Sequence, residues 1–371
     1  MMITQRACGF LAGVLALGVS VTAVSQTTQD RAATYWVYVA NESSDLVSLV
    51  RFDAAGAVEE KTIEVGYHPA DIDGAHGLTV SPTGQHWYVS IAHGLPYGQI
   101  WKFETGTDRF VDSTTVGLFP ATMAITPDGG TLFVVNFNLH GDPVPSSVSA
   151  VFTPFLAEMQ KIETCVRPHG SRVSRDGTRH YSGCLLSDQL VEIATDRMEV
   201  SRRLRLTRGH EGFVGDDSRA DRVVGGDACR PTWVAVATDD RHLYVPCNGR
   251  REVLELDAQS LSITRRFPTG AGPYNAEVSP DGRLLVVTLK GNQAVAIFDL
   301  ATGAETRVAT SRRLTHGVVI SPDSRFAFVS NEAVGATRGT VDVIDLVTKK
   351  RVASTEVQYQ PGGIAFWKME R

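Results

Sequence analysis

The sequence predicts an all-β fold, a seven-bladed β-propeller made of four-stranded antiparallel blades. Three observations predict it. A short apolar segment that ends in Ser-Pro-Asp-Gly or a close variant recurs along the chain, as at 276–282 and 318–323. Each copy is followed by further apolar segments of strand length, such as 284–288 and 294–299. The repeat begins seven times, and a unit of four short strands joined by tight turns is one propeller blade.

The residue that begins each innermost strand defines one column of the repeat, here called the mouth column. In blades 1 to 7 it reads His76, Ala121, His169, Thr232, Tyr274, His316 and Gly362. The last repeat ends after its first strand, whereas 35–41, 45–52 and 61–65 near the N-terminus have the pattern of second, third and fourth strands. We therefore expect the C-terminal strand to pair with N-terminal ones, which closes the ring and removes its exposed sheet edges.

Two of the second strands carry a family resemblance. The segments 38–41 (Tyr-Val-Ala-Asn) and 134–136 (Val-Val-Asn) resemble the Tyr-Val-Thr-Asn signature of the YVTN, or YncE-like, family of exported β-propellers. The resemblance covers essentially all of residues 34–371 and implies the propeller fold and export. It leaves the activity open, because that family includes cell-surface proteins and accessory proteins of periplasmic redox systems.

The N-terminal region predicts a secretory signal peptide. Arg6 precedes an apolar run at 9–21, and small residues stand at the −3 and −1 positions of a cleavage site after Ser25. The run is shorter than the roughly 20 residues of a membrane span, although an uncleaved anchor is the alternative. We expect a periplasmic or secreted monomer without a membrane span after cleavage. The predicted organisation is a signal peptide at 1–25, a short linker at 26–33 and the propeller at 34–371.

Charge and motif content exclude several functions. The chain has 36 Lys and Arg against 41 Asp and Glu, a net charge of −5, so it has no basic excess to neutralise nucleic-acid phosphates. The arginine-rich segment 202–208 is flanked by acids and is interpreted as solvated surface. The sequence has no nucleophile elbow, phosphate loop, haem-attachment or zinc-protease motif. Whether the protein is an enzyme therefore stays open.

Three histidines of the mouth column form the candidate site. His76, His169 and His316 lie in blades 1, 3 and 6, which is close to an equilateral triangle in a seven-fold ring, and a glycine follows each of them. Three imidazoles at the channel mouth could bind a copper, zinc or iron ion. Tyr274 is a candidate fourth ligand or hydrogen-bond partner. The alternatives are a polar ligand site without metal, or a residue type that the repeats share for packing reasons.

Four cysteines follow the predicted cleavage site, and an even number in an exported chain favours disulfides. Cys165 and Cys229 precede the innermost strands of blades 3 and 4, and Cys184 and Cys247 end the second strands of the same blades. Because these positions are neighbours in an antiparallel pair, we expect the pairs Cys165–Cys184 and Cys229–Cys247. A bridge from Cys184 to Cys229 and a Cys-His metal cluster are the alternatives.

Two further features lie outside the mouth column. Blade 3 contains an insertion at 209–227, rich in Gly and Asp, that is expected either to cover the channel mouth or to be a mobile acidic loop. His86, His180 and His242 are assigned to one structural column at the start of the second strands. The face on which innermost strands start and second strands end is called the top face.

The sequence thus leads to three functional hypotheses. The first is a propeller that binds a small molecule, metal ion or partner protein at the top face. The second is a metal-dependent periplasmic enzyme, redox or hydrolytic, with an axial three-histidine site. The third is a passive scaffold subunit of an envelope redox complex.

Overall fold

The structure is a computed structural model that describes residue 2 and residues 33–67, 70–93 and 97–371. The predicted signal peptide at 1–25 and linker at 26–33 lie outside the described residues, apart from Met2 and Ala33. Within the described residues, no helix has the length and apolar character needed to cross a membrane.

The described chain forms seven antiparallel sheets arranged as the predicted blades. The first strands are β1 (Thr34–Asn41), β2 (Leu46–Asp53) and β3 (Gly56–Glu64), which belong to blade 7. Blade 1 consists of β4 (Ala75–Val80), β5 (His86–Ile91), β6 (Gln99–Glu104) and β7 (Phe110–Thr115). Blade 2 consists of β8 (Pro120–Ile125), β9 (Thr131–Asn136), β10 (Pro145–Phe152) and β11 (Ala157–Val166). Blade 3 consists of β12 (Pro168–Val173), β13 (Arg179–Cys184), β14 (Gln189–Ala194), β15 (Glu199–Arg205) and a fifth strand, β16 (Gly212–Phe213).

The remaining blades follow the same order from the channel outward. Blade 4 consists of β17 (Ala235–Val236), β18 (His242–Cys247), β19 (Glu252–Asp257) and β20 (Ile263–Pro268). Blade 5 consists of β21 (Pro273–Val278), β22 (Leu284–Leu289), β23 (Ala294–Asp299) and β24 (Glu305–Ala309). Blade 6 consists of β25 (Thr315–Ile320), β26 (Phe326–Asn331), β27 (Thr340–Asp345) and β28 (Lys350–Glu356). The last strand, β29 (Pro361–Glu370), is the innermost strand of blade 7.

The ring closes as the sequence predicts. β29 pairs antiparallel with β1, with Ala365 opposite Tyr38, and β1 continues to β2 and β3. The closure is packed by aromatic rings: Tyr38 stacks on Trp87 of blade 1 at 5.1 Å between ring centroids. Asp108 accepts hydrogen bonds from the Tyr38 hydroxyl at 2.7 Å and from Trp87 Nε1 at 2.8 Å. The two chain ends are therefore joined by a ladder, a shared apolar core and a buried carboxylate.

A left-handed residue precedes the mouth column in every blade. The residue two positions before the column has a φ between 49° and 75° in all seven blades. These residues are Gly74, Phe119, Arg167, Arg230, Gly272, Leu314 and Gln360. Five of the seven are not glycine, although positive φ is unfavourable for them, so the turn is imposed by the fold. It brings the chain into each innermost strand in the same way, which places the seven column residues at equivalent positions around the channel.

Both predicted disulfides are present. Cys165 is bonded to Cys184 in blade 3, and Cys229 to Cys247 in blade 4, with Cα–Cα distances of 6.0 Å and 4.4 Å. The alternative bridge between blades is therefore excluded, and so is a Cys-His metal cluster.

We expect each disulfide to stabilise the ring by restricting the unfolded chain. Loops of 19 and 18 residues correspond to about 3 kcal/mol each on the chain-entropy model. Urea unfolding of the Cys165→Ala/Cys184→Ala variant should show that loss relative to the parent protein. An unchanged unfolding free energy in the variant would contradict the prediction.

The insertion at 209–227 lies on the outer part of blade 3 rather than over the channel mouth. β16 pairs with β15 at the outer edge of the sheet, and a short 3₁₀ helix, Asp216–Ala220, follows. Arg203, in the segment interpreted as solvated surface, is in fact buried and donates to Asp216 at 2.7 Å. No described contact of the insertion reaches the three histidines. The expectation of a cover over the mouth is wrong because the insertion extends a sheet edge.

Candidate functional site

Two histidines of the mouth column, His169 and His316, each lie close to the third, His76. The ring centroid of His76 lies 6.4 Å from that of His169 and 5.9 Å from that of His316. All three side chains are buried, between 3% and 8% exposed. Residues 240 positions apart in sequence are therefore brought to one point on the axis by the seven-fold repeat.

Backbone carbonyls of neighbouring blades fix two of these rings. His76 Nδ1 donates to the Ala121 carbonyl and His169 Nδ1 to the Thr232 carbonyl, both at 2.8 Å. A carbonyl can only accept, so Nδ1 carries the proton and a neutral ring keeps its lone pair on Nε2. His316 Nδ1 has no hydrogen bond of normal geometry within the described residues, although the Gly362 backbone lies beside its ring. Tying the far ring nitrogen to a carbonyl is the usual way to orient a metal-binding imidazole.

Burial keeps two of the imidazoles neutral. Burial lowers the pKa of His169 to about 3, and the neighbouring His76 acts in the same direction. Burial also lowers the pKa of His316 well below its usual range, assisted by the positive charge of Lys290. Neutral imidazoles at neutral pH are the form that ligates metal ions.

Tyr274 is a hydrogen-bond partner within this group. Its hydroxyl donates to His169 Nε2 at 3.0 Å, and its ring centroid lies 4.6 Å from that of His316. Lys290 Nζ lies 4.5 Å from the Tyr274 ring centroid, a cation–π contact. Burial raises the pKa of Tyr274 well above its usual range, so the phenol stays protonated. Of the two roles expected from the sequence, the structure thus describes the hydrogen-bond partner.

Two buried glutamates that the sequence analysis did not identify complete the site. Glu42 Oε2 lies 3.8 Å from His76 Nε2, and Glu332 Oε1 lies 3.4 Å from His316 Nε2. Both residues are 8% exposed. They follow the second strands of blades 7 and 6 at equivalent positions, each after an asparagine. The recurrence of Asn-Glu at the end of two second strands is the sequence feature that could have identified these glutamates.

Each glutamate also binds a basic group further out on the top face. Glu42 Oε1 lies 2.9 Å from His93 Nε2, and Glu332 Oε1 accepts from Lys290 Nζ at 2.7 Å. Burial alone would raise the pKa of Glu42, but His76 and His93 together hold it below its usual range. Both glutamates therefore add negative charge beside the imidazoles, which favours a cation at this point.

The glycines that follow the histidines lie against the backbone of the neighbouring blade. A Cβ on Gly77 would lie 2.5 Å from the Ala121 oxygen, and a Cβ on Gly317 would lie 2.6 Å from the Gly362 oxygen. Contacts this short cannot be accommodated. The glycines let neighbouring blades approach each other closely, and at Gly77 this approach brings His76 Nδ1 within 2.8 Å of the Ala121 carbonyl.

The donor atoms are near one another but do not form a coordination shell in the described conformation. Within residues 33–67, 70–93 and 97–371, no three His, Cys, Asp or Glu side chains meet the geometry of a bound ion. Imidazoles on one tetrahedral ion with metal–nitrogen distances near 2.0 Å would have ring centroids about 5 Å apart. The His76 ring would have to approach each of the other two rings by about 1 Å, and the Tyr274 hydroxyl would have to release His169 Nε2, before these residues could hold one ion.

The comparisons with known proteins bear on the fold. No protein-family model matches the sequence, and no curated protein is significantly similar to it. Among solved structures, the chain is similar to the periplasmic gluconolactonase of Pseudomonas aeruginosa, with a TM-score of 0.69, 17% identity and coverage of 90% of this chain and 99% of that one. A protein of unknown function from Desulfotomaculum acetoxidans has a TM-score of 0.67 and 14% identity, with coverage of 90% of this chain and 98% of that one. A chain of Kuenenia stuttgartiensis hydrazine synthase has a TM-score of 0.62 and 19% identity, with coverage of 81% of this chain and 93% of that one. At these identities the likeness is one of fold.

Proposed function

We propose that the protein is an exported, YncE-like propeller that binds a transition-metal ion at the channel mouth. The observation that carries this proposal is the pair of hydrogen bonds from Nδ1 of His76 and His169 to backbone carbonyls, which leaves the lone pair of each ring on Nε2. At His169 this lone pair accepts a hydrogen bond from the Tyr274 hydroxyl at 3.0 Å, so an ion would displace the phenol there. His316 supplies the third imidazole. Copper and zinc are the favoured ions, because both accept neutral imidazole nitrogen.

The charges around the site support a cation rather than an anion at this level of the channel. Glu42 and Glu332 contribute two negative charges, whereas Lys290 contributes one positive charge and is already paired with Glu332. Export is supported by the predicted signal peptide and by two disulfides, which persist in oxidising compartments.

The test is a metal titration of the mature protein by calorimetry, with elemental analysis of the dialysed complex. We expect about one Cu(II) or Zn(II) per chain. His76→Gln and His316→Gln should each weaken binding by more than about 100-fold, because losing a ligand exceeds the effect of losing an outer-shell partner. His242→Gln is the matched control, since His242 is more than a third exposed and pairs with Asp239 outside the mouth column.

Circular dichroism of each variant separates loss of a ligand from loss of fold. Metal-free protein that binds no ion on titration would overturn the proposal. Equal affinities for His76→Gln and His242→Gln would overturn it as well. In either case a scaffold role, in which the top face contacts a partner protein, becomes the better hypothesis.

A second candidate is hydrolysis by the same centre. Glu332 lies within 3.4 Å of an imidazole that would hold the ion, a suitable place for a general base toward metal-bound water. One of the proteins of similar fold is a periplasmic gluconolactonase. Zinc-loaded protein should then hydrolyse gluconolactone faster than metal-free protein, and Glu332→Gln should lose the increase. Equal rates would exclude this activity.

A further inference from the structure

A small, partly open cavity lies in the channel directly below the histidines. It has a volume of about 40 Å³. Its lining runs from His76 and His316 in the mouth column to Arg172, three residues further along the innermost strand of blade 3. A water molecule needs roughly 10–15 Å³ of such volume. The cavity therefore has room for about three water-sized groups.

The cavity is lined by buried polar groups that lack partners. The Asn275 side chain is 4% exposed, and its Oδ1 has no hydrogen bond within the described part of the chain. Trp233 is 8% exposed, and its Nε1 likewise has no described acceptor. Both residues line the cavity. Buried polar atoms are nearly always hydrogen-bonded in native proteins, so these two groups indicate that the cavity holds water or a small polar ligand that accepts and donates hydrogen bonds.

Positive charge lies at the lower end of the cavity. The Arg172 guanidinium stacks over the Trp233 ring at 4.9 Å and donates to Glu277 at 2.8 Å and to the Ser171 carbonyl at 2.9 Å. These contacts hold the guanidinium over the face of the Trp233 indole. The Asn275 carboxamide has the same shape in its two orientations and can present its NH₂ group as a further donor.

We propose that this cavity binds a small monovalent anion of about three heavy atoms, such as formate, nitrite or azide. Trp233 and Asn275 donate hydrogen bonds to the anion, and the Arg172 guanidinium, which keeps its ion pair with Glu277, is the cation that lines the cavity. If His76 and His316, which line the same cavity, hold an ion, the anion would be near enough to supply it with one further ligand atom. The metal contact rests on the proposed function, whereas the pocket itself does not.

The experiment measures binding of ¹³C-formate by NMR to the metal-free and the Cu(II)-loaded mature protein. We expect formate to bind both forms, with its resonance broadened by the copper ion in the loaded form. Acetate, which is larger by one methyl group, should bind at least about tenfold more weakly. Trp233→Phe and Asn275→Leu should each weaken formate binding by about fivefold or more, because each removes a hydrogen-bond donor.

The matched control is Trp101→Phe, the same substitution at a tryptophan of blade 1 that donates to Gln99 outside the channel. It should leave formate binding unchanged. Equal binding of formate and acetate, or equal effects of Trp233→Phe and Trp101→Phe, would overturn the pocket. Formate binding to a protein that takes up no metal would support the pocket while rejecting the metal centre. Metal binding without formate binding would support the metal centre and reject the anion pocket.

Discussion

Truncation of the chain after Gln360 is expected to prevent the formation of a stable ring. The deletion removes β29, the innermost strand of blade 7, and leaves β1 with an unpaired edge. It also removes Ile364 and Ala365, which are buried in the cores on the two sides of that blade. The net stability of a folded protein is about 5–15 kcal/mol, and losing a central strand removes interactions of that order. Size-exclusion chromatography should show aggregated or expanded protein.

The matched control for the truncation ends at Met369. It removes only Glu370 and Arg371, which are exposed, and should elute and unfold like the full chain. The intermediate change Ala365→Glu keeps the strand but places a carboxylate in the core beside Tyr38. It should lower the unfolding free energy by several kcal/mol, since a buried unpaired charge is costly. A truncated chain that remains monomeric and cooperative would show that β29 is dispensable.

The fold could be predicted because its signals are local. Each blade carries its own apolar segments and tight turn, so seven copies of a weak pattern reinforce one another, and the missing strands of blade 7 could be found by counting. The mouth column was predictable for the same reason. His76, His169 and His316 share a position at the start of the innermost strands, and these strands surround the axis of the ring.

Glu42 and Glu332 were harder to predict because their relation to the histidines crosses from one strand to another. Each follows a second strand, and its distance from an imidazole depends on how the blades are tilted around the channel. No repeat in the sequence predicts the distance between the glutamate and the imidazole. The recurring Asn-Glu pair was visible in the sequence, but nothing local indicated that it faces the mouth.

The histidines at the start of the second strands show that an error of one residue in strand register changes whether a side chain is buried or exposed. The sequence analysis placed His180 in one column with His86 and His242. In the structure, His86 pairs with Glu104 and His242 with Asp257, the last residues of their third strands, whereas Arg179 holds that position in blade 3. Because side chains alternate between the two faces of a strand, His180 is fully buried and stacks on Phe133, while the other two are partly exposed.

That burial leads to the second large expected effect, a loss of stability in mild acid. Burial lowers the pKa of both His169 and His180 to about 3 and that of His316 well below its usual range, whereas an unfolded histidine titrates near 6.5. Below pH 6.5 the unfolded chain therefore binds protons that the folded protein does not. Stability falls as pH falls, by up to about 1.4 kcal/mol per pH unit for each histidine and about 4 for all three.

Carboxylates do not account for this loss in the same pH window. The pKa values of Glu42 and Glu192 are held below their usual range by neighbouring basic groups, although burial acts in the opposite direction. Their stabilising contribution is complete above the unfolded pKa, near 4.3, and is lost only as pH falls below it. Between pH 6 and pH 5 the buried histidines are therefore the dominant cause.

Urea unfolding of the metal-free protein at pH 7.5, 6.0 and 5.0 measures the effect. His180→Gln should reduce the slope between pH 6.0 and 5.0 by about a third, because one of the three proton differences is removed. His242→Gln should leave the slope unchanged, since that side chain is more than a third exposed. His180 is the informative position because it lies outside the mouth column, so its removal leaves His76, His169 and His316 in place. An unfolding free energy that is constant from pH 7.5 to 5.0 would mean that the histidines become protonated in the folded ring.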